Sequence, residues 1–172
     1  MKINKVVLII LISLSSIISF AKDDIKDVTV QIELNSKSSE ITFDTNSIEA
    51  PYGKTIRLTY RNSAPADSEI LHNVAIVDKG KEAKLLLDLK SHNYELDKVD
   101  QTMILAKTKI LNPGESDTIT FKPSSPGKYM YVCLMPAHGD MLGMKGYLTI
   151  TKKDIKPNLK TNKVKQTTGD KK

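Results

Sequence analysis

Apolar and polar residues alternate with period two along much of the chain. Val28, Val30, Ile32 and Leu34 interleave with Asp27, Thr29, Gln31 and Glu33, the pattern of a strand with one buried face. The stretch ITFDTNSIEAPYGKTIRLTYRN predicts a short strand, a turn at Pro51-Tyr52-Gly53, and a second strand with Ile56, Leu58 and Tyr60 on one face. HNVAIVDKG predicts a strand that begins at His72 and ends in a glycine turn. Further strands are predicted at DTITF after Asn112-Pro113-Gly114, at KYMYVC after Pro126-Gly127, and at GYLTI. Only residues 82–96, EAKLLLDLKSHNYEL, have helical character. Short strands separated by Pro/Gly turns, with one short helical excursion, predict an all-β fold, an antiparallel Greek-key β-sandwich.

Both ends depart from this pattern. Lys2 and Lys5 precede the apolar run VVLIILISLSSIISF, and Ser19 and Ala21 are small residues at cleavage positions, so residues 1–21 are expected to be a signal peptide cut after Ala21. The run is short for a bilayer and interrupted by serines, and no cysteine follows it to take a lipid. The mature chain is therefore expected to be soluble, without an integral membrane segment, and the lysine, isoleucine and asparagine usage points to a bacterial periplasm. Residues 22–150 are expected to be one domain, large enough to bury a core without staples. From Thr151 the apolar period is lost, and residues 151–172 are expected to be a lysine-rich, disordered tail.

The formal charge of +6 divides unevenly along the chain. The leader carries Lys2 and Lys5, and the tail carries eight lysines against Asp154 and Asp170, which leaves the domain slightly acidic. A near-neutral domain in an exported protein removes the reason to expect nucleic acid as a partner.

The single cysteine excludes an internal disulfide and directs attention to YVCLMPAHGDMLGMKGYLTI. Cys133 ends a strand, His138 follows five residues later on a loop, and His72 stands at the start of another strand. One thiolate and two imidazoles with a weak thioether form the donor set of a blue-copper electron-transfer site, and Met141 and Met144 both offer the thioether. Each residue alone has a structural explanation, since cysteine is often buried and inert and methionines pack apolar loops. Their joint order favours the metal. His92, beside Asn93 on the helical segment, is expected to be a solvated residue with no role.

On these residues the chain resembles the azurin-type cupredoxins, the blue copper proteins of the azurin/plastocyanin superfamily. The shared pattern is YMYVCLMPAH followed by MKGYLTI, supported by FDTNSIEAPYGKTIRLTYRNS, LHNVAIV and ILAKTKILNPGESDTITF in order, over roughly residues 28–150. The resemblance implies a cupredoxin fold and one type 1 copper. It places His72, Cys133 and His138 as equatorial ligands, Met144 of MKG as the axial one, and Asn73 as the tie between the two ligand loops. Leu71 stands where azurins have a glycine, the usual azurin disulfide is absent, and Asp140 adds a charge to a loop that is mostly apolar in the family. The loop from His138 to Met144 is also longer than azurin's.

The function expected is that of a monomeric periplasmic carrier, not an enzyme. It would pass single electrons between redox protein partners, a cytochrome or a copper or haem enzyme, through the edge of His138. Leu134, Met135, Pro136, Ala137 and Leu142 would form an apolar docking patch around that edge. The rival reading is a module that stores or delivers Cu(I), with Met135, Met141 and Met144 as thioether donors. A copper enzyme with a second centre lacks histidines to build it, and a Cys-His hydrolase lacks an orienting acid.

Overall fold

The computed structural model describes residues 29–152 and, within the tail, residues 164–166. The expected leader lies outside the described residues, as do residues 153–163 and 167–172. Nine strands are described: β1 (Thr29–Asn35), β2 (Ser47–Pro51), β3 (Thr55–Arg61), β4 (Ala75–Val77), β5 (Ile104–Lys107), β6 (Ser116–Phe121), β7 (Gly127–Val132), β8 (Lys145–Thr151) and β9 (Val164–Gln166). They form two sheets, ordered β6-β3-β1-β9 and β2-β8-β7-β4-β5. Among the described residues one α-helix, α1 (Glu82–Ser91), and one 3-10 turn (Gln101–Met103) interrupt the strands. The fold is thus the expected two-sheet sandwich with one helical excursion. Among the described residues no helix is long and apolar enough to cross a membrane.

The alternation read from the sequence is realised in β1 and β3. Val30, Ile32 and Leu34 face Ile56, Leu58 and Tyr60 across a paired register, and all six are buried in the core between the sheets. The pairing itself is parallel, as is that of β2 with β8, so the sandwich is mixed and not wholly antiparallel. Topology supplies the reason. β2 crosses to the opposite sheet, and the tight turn at Tyr52-Gly53 returns the chain as β3; two reversals leave β3 running in the direction of β1.

β7 is buried on both faces. Tyr129 and Tyr131 enter the inter-sheet core, whereas Met130 and Val132 lie in a second cluster with Leu85 and Leu89 of α1 and with Val99 and Met103. The helix covers the outer face of the five-stranded sheet, which explains why KYMYV reads as a nearly continuous apolar run. α1 stops at Ser91, short of the predicted residue 96. Asn93 and Tyr94 both adopt positive φ, 53° and 61°. The amide of Asn93 donates to the carbonyl of Lys90 at 3.1 Å and that of Tyr94 to Leu89 at 2.8 Å, the two bonds of a Schellman termination. His92 closes the helix, its Nδ1 lying 2.9 Å from the Asp88 carbonyl.

β5 was not among the strands predicted from alternation; its residues Ile104, Leu105 and Ala106 are half-buried and Lys107 is exposed at a sheet edge, which leaves little periodic signal. β9 lies within the tail and pairs antiparallel with β1, Val30 opposite Gln166 and Ile32 opposite Val164. The expectation of a structureless tail does not extend to these three residues. A strand with one bare edge pairs readily with any extended segment that reaches it.

Candidate metal centre

Strand register brings the predicted donors to one end of the sandwich. Ala75 at the start of β4 pairs with Val132 at the end of β7, and Val132 also pairs with Lys145 at the start of β8. Cys133 and Met144 lie just outside these pairs, and His72, three residues before Ala75 and bridged to Leu111, comes to the same end. The amide of Cys133 donates to the carbonyl of Met144 at 3.0 Å, and that of Met144 to the carbonyl of His138 at 2.8 Å, which closes the loop.

Cys133 Sγ lies 3.8 Å from His72 Nδ1 and 3.6 Å from His138 Nδ1, and the two Nδ1 atoms are 3.2 Å apart. The three donors form the cluster of metal-ligating type found among the described residues. A point equidistant from all three lies about 2.1 Å from each, within the roughly 2.0–2.3 Å of transition-metal bonds to imidazole and thiolate. The triangle has the size of a trigonal metal site. His92 stands apart on α1. Met144 is fully buried in the core cluster that contains Cys133, whereas Met141 is 72% exposed.

Burial sets the protonation of the donors. His72 is displaced down to about 4 by burial and by the neighbouring His138, and burial lowers His138 as well. The Cys133 thiol is pushed up to about 11 by burial, against the backbone N–H groups of Asn73 and Met135, which hydrogen-bond its sulfur and favour the thiolate. Without metal the site is neutral: two imidazoles and a thiol. A cation that replaces the thiol proton finds two unprotonated nitrogens and a soft sulfur, the donor chemistry of copper.

Local sequence explains the loop. The amide of His138 donates to the carbonyl of Met135 at 3.0 Å, with Pro136 second in the turn and Ala137 third at φ 65°. This is the pattern of a type II turn, whose third position favours glycine. Gly139 admits no side chain, because a Cβ would fall within contact distance of Val132 Cγ2 and the Cys133 carbonyl. Gly146 of MKG is similarly required: the Tyr131 ring lies against its Cα, and the Tyr131 hydroxyl reaches the Thr45 carbonyl at 2.8 Å.

Asn73 meets its expectation as a tie, since its Oδ1 accepts the amide of Leu134 at 2.8 Å. The expected docking patch needs one correction. Leu134 is 1% exposed and packs under α1, because it continues the outward face of β7 that the helix covers. The exposed apolar residues on the ligand loops are Pro136, Met141 and Leu142, with Leu71 beside His72.

Two positioning residues carry no motif. Asn62 is buried; its Nδ2 donates to the carbonyls of Ile70 and Leu111, both at 2.9 Å, and its Oδ1 accepts from Ala64 N at 3.1 Å. Thr108 Oγ1 accepts the amide of Val74 at 3.0 Å. A polar residue flanked by strands looks the same in sequence whether buried or solvated. The one available signal, an Asn where β3 ends, reads equally well as a turn.

A two-sheet β-sandwich with a buried Cys-His-His cluster at one end defines a cupredoxin. The family model for copper binding proteins of the plastocyanin/azurin family matches residues 30–151, and the chain belongs to that family. Its cofactor is one type 1 copper, and the family implies electron transfer. Auracyanin-B of Chloroflexus aurantiacus is 30% identical over 70% of this chain, and the match spans about half (52%) of that relative. Azurin of Pseudomonas fluorescens biotype C is 30% identical over 66% of this chain and 92% of its own length. The crystal structure of dithionite-reduced auracyanin from the photosynthetic bacterium Roseiflexus castenholzii superposes with a TM-score of 0.61 at 35% identity, covering 70% of this chain and 96% of that one.

Proposed function

We propose that the chain is a periplasmic carrier of single electrons, not an enzyme, in which His72, Cys133 and His138 hold copper equatorially and Met144 lies axial. The observation that carries this reading is the convergence of the three donor atoms within 4.8 Å of one another on segments fixed by strand pairing. Copper bound there supplies a one-electron couple. The chain's part is to keep the donors still. His72 lies between two backbone bonds with Leu111, and Cys133 is held by the Met144 carbonyl and by N–H groups on its sulfur. Donors held in this way change little between oxidation states, which keeps reorganisation small.

His138 is the donor with partial exposure, and exposed Pro136, Met141 and Leu142 share its loop. That edge suits brief contact with redox protein partners such as a cytochrome or a copper or haem enzyme. The basic, apolar leader read from the sequence supports export to the periplasm. The burial of Met144 and exposure of Met141 place the two thioethers in different environments, which favours a carrier over a Cu(I) store.

The test is the visible spectrum. The Cu(II) protein should show intense thiolate-to-copper charge transfer, bleached on reduction, and Cys133→Ser should lose the band while remaining folded. A strongly coloured Cys133→Ser protein would overturn the reading. Loss of copper during repeated redox cycles would instead favour delivery.

A further inference from the structure

The segment between the two last predicted ligands is fastened to the helical excursion through Asp140. Asp140 lies two residues after His138, and its side chain is only 5% exposed. Its Oδ2 accepts the Tyr94 hydroxyl at 2.7 Å and lies 3.1 Å from Lys90 Nζ. Both partners come from α1 and its termination, some 50 residues earlier in the chain. The charge that looked out of place in an apolar loop is thus matched by a cation and a hydroxyl from a distant element.

Two independent features show that the contact is built. Tyr94 sits at φ 61°, a conformation rarely adopted by a bulky residue, and it follows Asn93 at φ 53°. This paired left-handed exit from α1 brings the Tyr94 hydroxyl to Asp140. On the loop side, the preceding residue is Gly139, where a Cβ would strike β7, so the chain at residue 139 lies flush on the strand and Asp140 emerges beside it.

We propose that Tyr94 and Lys90 are positioning residues for the metal loop: through Asp140 they latch the segment from His138 to Met144 to the helical excursion, so that the loop is held in its metal-facing register before metal arrives. The inference rests on the copper reading for its consequence and on the hydrogen-bond geometry for its mechanism. Backbone bonds from Met141 and Leu142 to the Ala137 carbonyl shape the loop internally, whereas the latch is what joins its middle to another element. Removing the latch leaves Asp140 buried with fewer partners, and the loop is expected to swing outward to solvate it.

The test compares Tyr94→Phe and Lys90→Met with Lys84→Met. Lys84, on the same helix as Lys90, pairs with Asp100 beyond the helix and not with Asp140. In metal-free protein, amide exchange at residues 140–143 should accelerate on the order of tenfold in the first two variants and stay at the parent rate in the third. In copper-loaded protein, the first two should shift the charge-transfer band and the reduction potential, while the third does not. Parental exchange in Tyr94→Phe and Lys90→Met would overturn the latch. Faster exchange with unchanged spectrum and potential would reduce it to a packing contact and overturn it equally. If the parent binds no copper, the copper reading fails, and exchange in the metal-free protein still decides whether the latch exists.

Discussion

Asn62 Nδ2 donates at 2.9 Å to the carbonyl of Leu111, the same oxygen that accepts the amide of His72 at 3.2 Å. A buried side chain on the loop after β3 thus helps fix the backbone of a predicted ligand ten residues later. Asn62→Leu fits the volume but strands the Ile70 carbonyl and the Ala64 amide, at about 1–3 kcal/mol for each, and leaves the Leu111 carbonyl with the His72 amide alone. The melting temperature should fall by roughly 5–10 °C, and copper affinity should fall with it. Unchanged copper affinity in a folded Asn62→Leu protein would show that the His72 loop is held without it.

The axial position is tested by a pair of variants. Met144 is buried with Cys133 and Met141 is exposed, so Met144→Gln should preserve binding, change the spectrum and lower the potential, as the harder oxygen favours Cu(II). Met141→Gln should do much less. The opposite result would make Met141 the ligand.

Acid and alkali act on different donors. In the metal-free protein His72 stays neutral down to about 4, against an ordinary 6.5 unfolded, so below 6.5 the unfolded chain binds more protons. The associated stability is present above pH 6.5 and is lost as pH falls toward 4. Burial raises Cys133 to about 11, so its proton must leave when copper binds at neutral pH. Copper affinity should rise about tenfold per pH unit between neutrality and that value. Calorimetry in buffers of different ionisation enthalpy should count one proton released per copper, and none from Cys133→Ser.

Gly139→Ala should destabilise the apo protein by about 1–3 kcal/mol, since its Cβ meets Val132 Cγ2 and the Cys133 carbonyl, a backbone group that cannot yield. Ala137→Gly should act in the opposite sense, because φ 65° is easier for glycine. Thermal unfolding of the two variants checks both signs. A stability loss in Ala137→Gly would mean that the unfolded-state entropy of glycine outweighs the strain.

Deleting residues 153–172 should leave copper binding intact but uncover the β1 edge opposite β9. Amides of residues 30–32 on that side should exchange faster, and the truncated protein should self-associate more readily. Unaltered exchange there would show that the β1–β9 pairing contributes nothing to protection.

Much of the fold was legible because its signal is local. Val30, Ile32 and Leu34 announce a strand with one buried face whatever lies opposite, and the Pro/Gly turns mark where strands end. The helix end was misjudged because Glu95 and Leu96 continue a helical composition past Asn93 and Tyr94, whose left-handed backbone depends on what Tyr94 reaches. β5 was missed because a half-buried edge strand needs no strict alternation. Leu134 was placed at the surface because its loop looks like the rim of a site, and only the position of α1 buries it.

For the candidate centre, the sequence by itself determined the donor chemistry: one thiol, two imidazoles and two competing thioethers, in an order that matches a known family. Tertiary structure decided the rest. Pairing of Ala75 with Val132 and of Val132 with Lys145 brings His72, Cys133 and Met144 to one end of the sandwich, and packing buries Met144 while leaving Met141 in solvent. It also decided that Asp140 has Lys90 and Tyr94 for partners. Periodicity reports only which face of a local element avoids water. The distance between two donors depends on strand register and helix placement, and these are set by the whole core at once.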